Sequence, residues 1–438
     1  MALDITRLSG GNTPADGSDP RTFPAIWNST ATALEGLELD DLTGVTVTSP
    51  TTGQVLEYNG SAWVNVEQQP GDNLIYNGAM QVAQRGTSET GITGPGYSTA
   101  DRWRSDISSM GTWTQTVESD GPTGSGFAKS LKMECTTADG SPAASDYVNV
   151  QQRFEGQDLQ GLKKGTSSAE SLTLSFWVKS NATGTYVVEF LDLDNNRHIS
   201  AAYTIVSSGT WEQKTVTLPG DTGGSGFTND NGLSLLTVFW LGVGSDRSSG
   251  TLATSWAARD NANSAVGQTN LAASTSNYWQ VTGVQLEAGT VATPFEHKSY
   301  GVELAECKRY YQKSFLYDTA PFNNTIANTV TIGNPATTAG YGTTSGLSYS
   351  PGFSILEVEM RSTPSVQLYS ANGNVSAGQF GDVYNKNNTT SYAASVITDS
   401  NYGNYTNNKR ISVRTNNGSG VSNQGNPLGV HWTADAEL

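Results

Sequence analysis

The chain has 438 residues, a length that predicts about three domains. Its 24 basic and 40 acidic residues give a net charge of −16 at pH 7, and this sign disfavours binding to nucleic acid or to an anionic membrane surface. Hydrophobic residues make up only 36% of the chain and 48 residues are glycine, a composition typical of many short strands joined by polar turns.

Cysteine, histidine and the first residues exclude several further classes. The two cysteines, Cys135 and Cys307, are too few for a disulfide framework or a cysteine zinc site, and the three histidines are scattered. We therefore expect no metal and no cofactor. The first residues lack the apolar region of a secretory signal, and no apolar run is long enough to cross a membrane. Synthesis in the cytoplasm without a signal peptide is expected.

The N-terminal segment, residues 1–40, is predicted to be rich in loops and to contain one short helix at 24–37. Pro24 falls in its first turn, and Thr22 is a candidate N-cap. An isolated helix of this length cannot bury its apolar stripe by itself. We expect it to pack against copies of itself or against a larger partner.

Residues 41–71 are predicted to form a small β-hairpin unit. Asn59 and Gly60 lie between two alternating segments, a turn signal that predicts pairing of residues 55–58 with 63–66. A hairpin of this size is marginal in water. Its stability is expected to come from association between chains or with the next module.

Residues 72–298 are predicted to form one large β-sandwich with a jelly-roll arrangement. Residues 172–179 alternate between apolar and polar side chains, as in a strand with one buried face. The other strands that the pattern predicts are 186–190, 202–206, 214–218, 233–243 and 278–286. Gly- and Ser-rich loops separate them, as in sandwich and jelly-roll folds.

A helical connector is predicted at residues 299–318, with its helix over 299–315. Apolar residues recur there at spacings of three and four, and acidic residues precede basic ones. If three copies meet at this stripe, it would form a small bundle. Residues 319–438 are predicted to be a last β-module, with strands near 355–360 and 365–369 and with loops at a tip over 371–428.

Several motifs carry alternative interpretations. Residues 192–196 resemble the start of a calcium loop, but Arg197 and Tyr203 stand where glycine and glutamate are required, so a hairpin turn is favoured. Residues 101–104 (DRWR) are expected to pin a strand end rather than to grip a sugar. The carboxylates considered for glycan hydrolysis, which requires a facing pair, are Glu155, Glu189, Asp192, Asp194 and Glu287. None has distinctive neighbours, and no catalytic residue is predicted.

Four tyrosines near the C-terminus are the candidate ligand-binding residues: Tyr384, Tyr392, Tyr402 and Tyr405. They lie among Asn, Ser, Gly and Lys. Aromatic faces can stack on sugar rings and amides can pair with hydroxyls. The alternative is that these tyrosines fill a thin β-core, and the sequence leaves both interpretations open.

The order of several motifs resembles bacteriophage tail fibre proteins of the marine-phage type. Residues 73–87 (NLIYNGAMQVAQRGT) and 99–104 (TADRWR) resemble the opening of their large module. Residues 279–297 and 300–312 resemble its end and the joint that follows. Residues 359–366 (EMRSTPSV) and 433–438 (TADAEL) resemble a distal domain, and 53–63 (GQVLEYNGSAW) resembles shaft-proximal repeats.

This resemblance implies an all-β protein of jelly-roll or β-sandwich modules in series, joined by short helices, in an elongated homotrimer. It implies a virion component that attaches to the phage tail, baseplate or an adaptor through residues 1–40. Residues 72–298 would be a carbohydrate-binding-like jelly roll, and residues 319–438 a tip domain that recognises host surface polysaccharide. The expected function is non-enzymatic adhesion to host-cell glycan, without binding nucleic acid or inserting into a membrane. The alternatives are a tailspike-like glycan depolymerase and a monomeric carbohydrate-binding or structural tail protein.

Overall fold

The computed structural model of the chain describes residues 44–49, 54–58, 60–67, 72–317, 319–322, 330–332, 351–369, 381–385, 391–396, 406–415 and 428–438. The chain divides into two compact units, Met1–Gln69 and Pro70–Leu438. Strands make up most of the regular secondary structure of the described residues, which confirms the predicted all-β class. The predicted N-terminal helix lies outside the described residues. No helix in the described ranges combines the length and apolar character needed to cross a membrane.

The first unit contains a three-stranded sheet that confirms the predicted hairpin. Its strands are β1 (Val45–Thr46), β2 (Gln54–Tyr58) and β3 (Trp63–Glu67). β2 pairs antiparallel with β3, with Tyr58 opposite Trp63, and β1 adds to the other side of β3 in parallel. The Tyr58 and Trp63 rings lie 5.6 Å apart, yet both side chains are about half exposed. The sheet is too small to bury them.

The second unit contains the predicted sandwich, formed by two antiparallel sheets. In spatial order, the six-stranded sheet consists of β13 (Glu212–Leu218), β10 (Leu172–Ser180), β16 (Tyr278–Ala288), β8 (Ser130–Thr137), β7 (Thr112–Glu118) and β4 (Ser88–Ile92). The seven-stranded sheet consists of β15 (Ala257–Ala258), β12 (Arg197–Ile205), β11 (Gly184–Asp192), β14 (Leu233–Val243), β9 (Tyr147–Glu155), β6 (Arg104–Ser108) and β5 (Gly96–Tyr97). The strands predicted from the alternating pattern are all present. Short 3-10 turns occur at Gly156–Leu162, Ser245–Arg247, Asn261–Asn263 and Leu271–Ala273.

Aromatic side chains fill the space between the two sheets. Phe176 and Phe239 meet edge to face with ring centroids 5.2 Å apart, and Phe239 also contacts Trp279 at 5.5 Å. Such pairs contribute about 0.5–1.5 kcal/mol beyond the burial of their area. The period-2 pattern of β10 therefore corresponds to a face that is packed against aromatic rings from the opposite sheet.

The predicted helix over 299–315 is wrong in its second half. Helix α1 covers only Tyr300–Lys308, and Tyr311–Lys313 forms a short strand, β17. β17 pairs antiparallel with the C-terminal strand β24 (Leu428–Asp435), with Tyr311 opposite Asp435. This ladder is a non-local contact that overrides the local helical periodicity.

The apolar stripe of this connector is covered by its own chain. Cys307, Tyr311 and Phe315 are all buried within the second unit. Tyr300, at the start of the stripe, is 40% exposed, and the bundle of three copies stays a prediction. The homotrimer remains a prediction from the resemblance.

The distal residues form an eight-stranded sheet centred on β24. The remaining strands are β18 (Val330–Ile332), β19 (Pro351–Ile355), β20 (Ser365–Tyr369), β21 (Gly381–Asn385), β22 (Ser391–Val396) and β23 (Arg410–Thr415). The prediction of loops over 371–428 is wrong at β21, β22 and β23. These strands carry few aliphatic residues, and backbone pairing with neighbouring strands holds them.

Buried ion pairs join the end of β24 to the sandwich. The Arg102 side chain is fully buried and its guanidinium pairs with the Glu437 carboxylate. Arg85 lies 3.3 Å from Glu437 and 3.1 Å from Asp435. The Arg102 guanidinium also stacks on the ring of Tyr310, 3.4 Å from its centroid. The distal sheet and the sandwich therefore share charged contacts away from water.

Candidate functional site

The seven-stranded sheet has a second packed face, on the side away from the sandwich core. Along β9, Val148 and Val150 enter the core, while Asn149 and Gln151 alternate onto the other face. β14 is apolar on both faces, so its outward residues form a separate cluster. This outer cluster contains Val187, Leu191, Leu236, Val238, Trp240 and Ala265.

A cleft of about 200 Å³ opens over this outer cluster, and we call it the sheet cleft. Its polar lining residues are Asp106, Asn149, Gln151, Arg153, Arg247 and Arg259. Its apolar and aromatic lining residues are Tyr147, Leu191, Leu193, Leu233, Leu236, Val238 and Trp240. An apolar floor with a few polar groups around it is the usual composition of a small-molecule or saccharide site.

An aromatic corner lies at one end of the sheet cleft. Tyr147 and Trp240 meet edge to face with ring centroids 6.0 Å apart. The central guanidinium carbon of Arg247 lies 4.3 Å from the Tyr147 ring centroid and 5.2 Å from that of Trp240. Cation–π contacts of this kind stabilise an arginine in one orientation. The corner therefore presents a half-buried tyrosine ring and a fixed guanidinium.

A buried carboxylate holds the indole of Trp240 in place. Trp240 Nε1 donates to Glu189 Oε2 at 3.0 Å, and His198 Nδ1 lies 2.8 Å from Glu189 Oε1. The backbone N–H of Asp260 donates to His198 Nε2 at 3.4 Å, so the imidazole proton is assigned to Nδ1, which donates to Glu189. Both oxygens of Glu189 are thus occupied, and its role is to orient the floor of the cleft.

The polar lining includes an asparagine without a partner. The Asn149 side chain is 3% exposed, and its Oδ1 accepts no hydrogen bond from the described residues. An unpaired buried amide oxygen costs about 1–3 kcal/mol. Next to it, Gln151 Nε2 donates to Asp106 Oδ2 at 3.1 Å, and Arg104 pairs with Asp106 at the same distance. The Asn149 amide oxygen therefore lacks a partner at the lining of the cleft, whereas Asp106 is already engaged.

Three arginines line the cleft without an ion pair to any described carboxylate: Arg153, Arg247 and Arg259. The Nε atoms of Arg153 and Arg259 are inaccessible to solvent and have no hydrogen-bond acceptor among the described residues. Arg153 Nη1 donates to the backbone oxygen of Leu438 at 2.6 Å. Burial, followed by the nearby Arg104 guanidinium, lowers the pKa of Arg153. The cleft is thus locally rich in positive charge.

The structure neither confirms nor contradicts the predicted tyrosine site. Tyr384 pairs with Ser391 between β21 and β22, and Tyr392 pairs with Val383 at the next position of the ladder. Tyr402 and Tyr405 lie outside the described residues. Ligand binding by these four tyrosines stays a prediction.

The DRWR motif is part of the packed structure at a strand end, as expected. Asp101, Arg102 and Trp103 are all completely buried, and Trp103 Nε1 donates to the backbone oxygen of Asn77 at 3.1 Å. Of the motif, only Arg104 is partly accessible, and it lies beside Asp106. The motif therefore does not form a sugar-gripping surface.

The 192–196 segment is a hairpin turn, which confirms that interpretation. β11 and β12 are antiparallel and Asp192 pairs with Arg197 across the turn. The Lys164 ammonium lies between two buried carboxylates, 2.9 Å from Asp192 and 3.3 Å from Asp221. Its Nζ also donates to two backbone carbonyls. A lysine thus supplies the positive charge that this carboxylate pair requires.

The carboxylates considered from the sequence lie in separate structural contacts: Glu155 with Arg309, Glu189 with His198, Asp192 with Lys164, Asp194 with the Thr228 backbone and Glu287 with the Thr293 backbone. The sheet cleft was missed because its residues come from distant segments. One signal was present, since the largely apolar segment 233–243, interrupted only by Ser234, Thr237 and Gly242, indicates a strand that is covered on both faces.

No family model and no curated protein matches the sequence. Similar solved structures include the enzymatically active domain of tailspike protein 4 of bacteriophage CBA120, which is 13% identical with a TM-score of 0.27. That likeness covers 49% of this chain and 21% of the tailspike chain, so this chain spans about a fifth of it.

Two further similar structures come from a phage and from a bacterium. The tripod from the baseplate of bacteriophage Tuc2009 is 11% identical, with a TM-score of 0.25 and coverage of 53% of this chain and 60% of that one. A family 11 carbohydrate-binding module from Clostridium thermocellum, in complex with a β-1,3-1,4-mixed-linked tetrasaccharide, is 11% identical, with a TM-score of 0.24 and coverage of 47% and 98%. At such scores we draw no functional conclusion from the likeness.

Proposed function

We propose that this chain is a glycan-binding subunit of a bacteriophage tail fibre, and that the sheet cleft holds the saccharide. The observation that carries the proposal is the Asn149 side chain, whose buried Oδ1 has no partner among the described residues of an otherwise packed sheet face. Buried polar atoms without partners are few in folded proteins, and a ligand site is one place where they occur, because the ligand supplies the missing hydrogen bond.

The chemistry of the cleft suits a saccharide. Tyr147 offers a half-buried ring that can contact the C–H face of a sugar, while the Asn149 amide can both donate to and accept from ring hydroxyls. The apolar floor excludes water from one side of the ligand. A shallow, mixed surface of this kind favours modest affinity per site.

The virion context comes from the resemblance of the sequence motifs to tail fibres. In that context the chain would form a homotrimer, attach to the tail through residues 1–40, and bind host surface polysaccharide. Several weak sites on one particle raise the avidity by about 10²–10⁴ over a single site. The tip tyrosines remain a second proposed contact with the same class of receptor.

Adhesion without catalysis is part of the proposal. The carboxylate that lines the cleft is that of Asp106, which pairs with Arg104 and accepts from Gln151. Glu189, which orients Trp240, is fully buried and accepts from Trp240 and His198. Both carboxylates serve structural contacts.

Binding of the full chain to an array of bacterial polysaccharides tests this function. Tyr147→Ala is expected to weaken binding about tenfold, which corresponds to about 1.4 kcal/mol. Tyr278→Ala is the matched control, because Tyr278 is also half-buried but lies in the six-stranded sheet, where Lys132 stacks on it. Equal effects of the two substitutions would contradict a role for the cleft. Release of reducing sugar from a bound polymer would contradict the non-enzymatic function and favour a depolymerase.

A further inference from the structure

The sheet cleft concentrates positive charge in an acidic protein. The chain carries 40 acidic and 24 basic residues. Even so, three arginines and a single carboxylate, that of Asp106, line the cleft. Arg104 lies beside that carboxylate and pairs with it. The local charge is therefore opposite in sign to that of the whole chain.

Two of the three arginines have no partner for their guanidinium among the described residues. The guanidinium of Arg247 makes cation–π contacts with the rings of Tyr147 and Trp240. These contacts do not supply a hydrogen-bond acceptor for its N–H groups. Arg259 has an inaccessible Nε without an acceptor. Arg153 already donates to the backbone oxygen of Leu438, so Arg247 and Arg259 carry most of the inference.

No carboxylate among the described residues forms an ion pair with these cations. Asp106 accepts from Gln151 and pairs with Arg104, both at 3.1 Å. Glu189 is fully buried beside Trp240 and accepts from Trp240 and His198. Partly buried cations without counter-charges destabilise a fold unless water or an anion satisfies them. A ligand that brings negative charge would meet this requirement.

We propose that the saccharide bound in the sheet cleft is acidic, with a carboxylate that Arg247 and Arg259 receive. The proposal rests on the glycan-binding function above and names its substrate class. A guanidinium forms two parallel hydrogen bonds to a carboxylate. The central guanidinium carbon of Arg247 lies 4.3 Å from the Tyr147 ring centroid, a contact that restrains the guanidinium before the ligand arrives. A neutral sugar would cover the two guanidinium groups and leave their charge uncompensated.

The net charge of −16 of the whole chain increases the dependence of acidic-saccharide binding on the cleft arginines. An acidic polymer is repelled by most of the surface, so nonspecific electrostatic adsorption is disfavoured. Binding of such a polymer therefore has to depend on the local arginines. A free oxyanion, such as inorganic phosphate, could use the same guanidinium groups but would gain nothing from Tyr147 or the apolar floor.

The experiment compares three polymers on the full-length protein. Immobilised polygalacturonate, dextran sulfate and neutral dextran separate carboxylate, sulfate and uncharged saccharides, and free inorganic phosphate serves as competitor. Arg247→Gln combined with Arg259→Gln is expected to weaken polygalacturonate binding at least tenfold. Lys163→Gln combined with Lys409→Gln removes the same charge from exposed positions elsewhere and is expected to change binding less than twofold.

The outcomes distinguish this inference from the proposed function. Tighter binding of polygalacturonate than of dextran, lost in the arginine variant and retained in the lysine control, supports it. Equal binding of dextran, or an arginine variant that binds polygalacturonate like the wild type, overturns the acidic ligand but leaves glycan binding intact. Binding only of dextran sulfate, or full displacement by phosphate, overturns the carboxylate assignment. If no polysaccharide of any charge binds, the proposed function itself is contradicted. Arg259→Gln alone repeats the comparison if the double variant fails to fold.

Discussion

The substitution Glu437→Gln tests whether the distal sheet and the sandwich are stabilised as one body. The Glu437 side chain is 5% exposed and its carboxylate pairs with the fully buried Arg102. Arg85 lies 3.3 Å away from the same carboxylate. Glutamine keeps the size of the side chain and removes its charge. Arg102 then has no carboxylate partner among the described residues.

The expected loss follows from the contacts that remain. Removing one partner of a buried ion pair costs about 3–5 kcal/mol. Arg102 keeps a hydrogen bond from Nη2 to the Arg153 backbone oxygen at 2.6 Å and its stacking on Tyr310, so we expect the lower end, about 3 kcal/mol. Burial opposes the charge on Arg102, but the Glu437 carboxylate outweighs that effect and raises its pKa. Removing the carboxylate takes away this favourable effect, but the guanidinium stays charged at neutral pH because the ordinary pKa of arginine is far above 7.

Urea unfolding followed by tryptophan fluorescence measures the difference, and Asp435→Asn is the matched control. Asp435 pairs with Arg85 at 3.1 Å, but its side chain is 44% exposed. An exposed pair contributes about 0.2–1 kcal/mol, so the control should lose less than about 1 kcal/mol. Equal losses in the two variants, or a Glu437→Gln loss below about 1 kcal/mol, would refute the reasoning.

Four further predictions concern single contacts and the assembly. Lys164→Met leaves two buried aspartates without their shared cation and should lower the unfolding free energy, measured by urea titration, by about 3–5 kcal/mol. The control Lys163→Met changes an exposed neighbour and should lower it by less than about 1 kcal/mol. Asn149→Leu removes the unpaired amide. The unfolding free energy should stay unchanged or rise by about 1 kcal/mol, and saccharide binding should weaken. A lower unfolding free energy with unchanged saccharide binding would contradict this prediction. Burial raises the pKa of Asp221, but the Arg197 hydrogen bonds outweigh it and lower that pKa below its usual value, so its stability contribution is present above about pH 4 and lost as pH falls through the folded pKa. Arg197→Gln should diminish that acid sensitivity in unfolding measured from pH 7 to pH 3. The native mass by light scattering should be three times the 46.3 kDa of one chain, and a monomer would contradict the trimer.

The sandwich strands were predictable because local pattern and long-range packing agree there. Residues 172–179 place an apolar side chain at every second position, and β10 buries the face that carries them. Segment 233–243 is largely apolar and forms β14 with the same bounds. The turn signal that the sequence carries at residues 59–60 also predicts the register, in which Tyr58 pairs with Trp63.

The connector and the distal sheet were mispredicted where non-local pairing decides the structure. The spacing of Tyr311 and Phe315 fits a helical stripe, but Tyr311 instead pairs with Asp435 from the far end of the chain. A partner so distant in sequence is invisible to any local pattern. The strands β21 to β23 were missed for the same reason, because their apolar content is low and backbone pairing with neighbouring strands defines them.

The candidate site was predictable only in its parts. An alternation of polar and apolar residues in 147–153 is ordinary for a strand, and nothing local shows that Asn149 lacks a partner. Arg247 and Arg259 reach the cleft from loops after β14. Their convergence with β9 depends on how the sheet is assembled, and only the structure reveals it.

A crystal structure of the full chain with an oligosaccharide that it binds would test the central claim most directly. We predict that the sugar lies in the sheet cleft, in contact with Tyr147, Asn149 and Arg247. A sugar bound elsewhere, at Tyr384 and Tyr392 or on the six-stranded sheet, with the sheet cleft left without ligand, would contradict it.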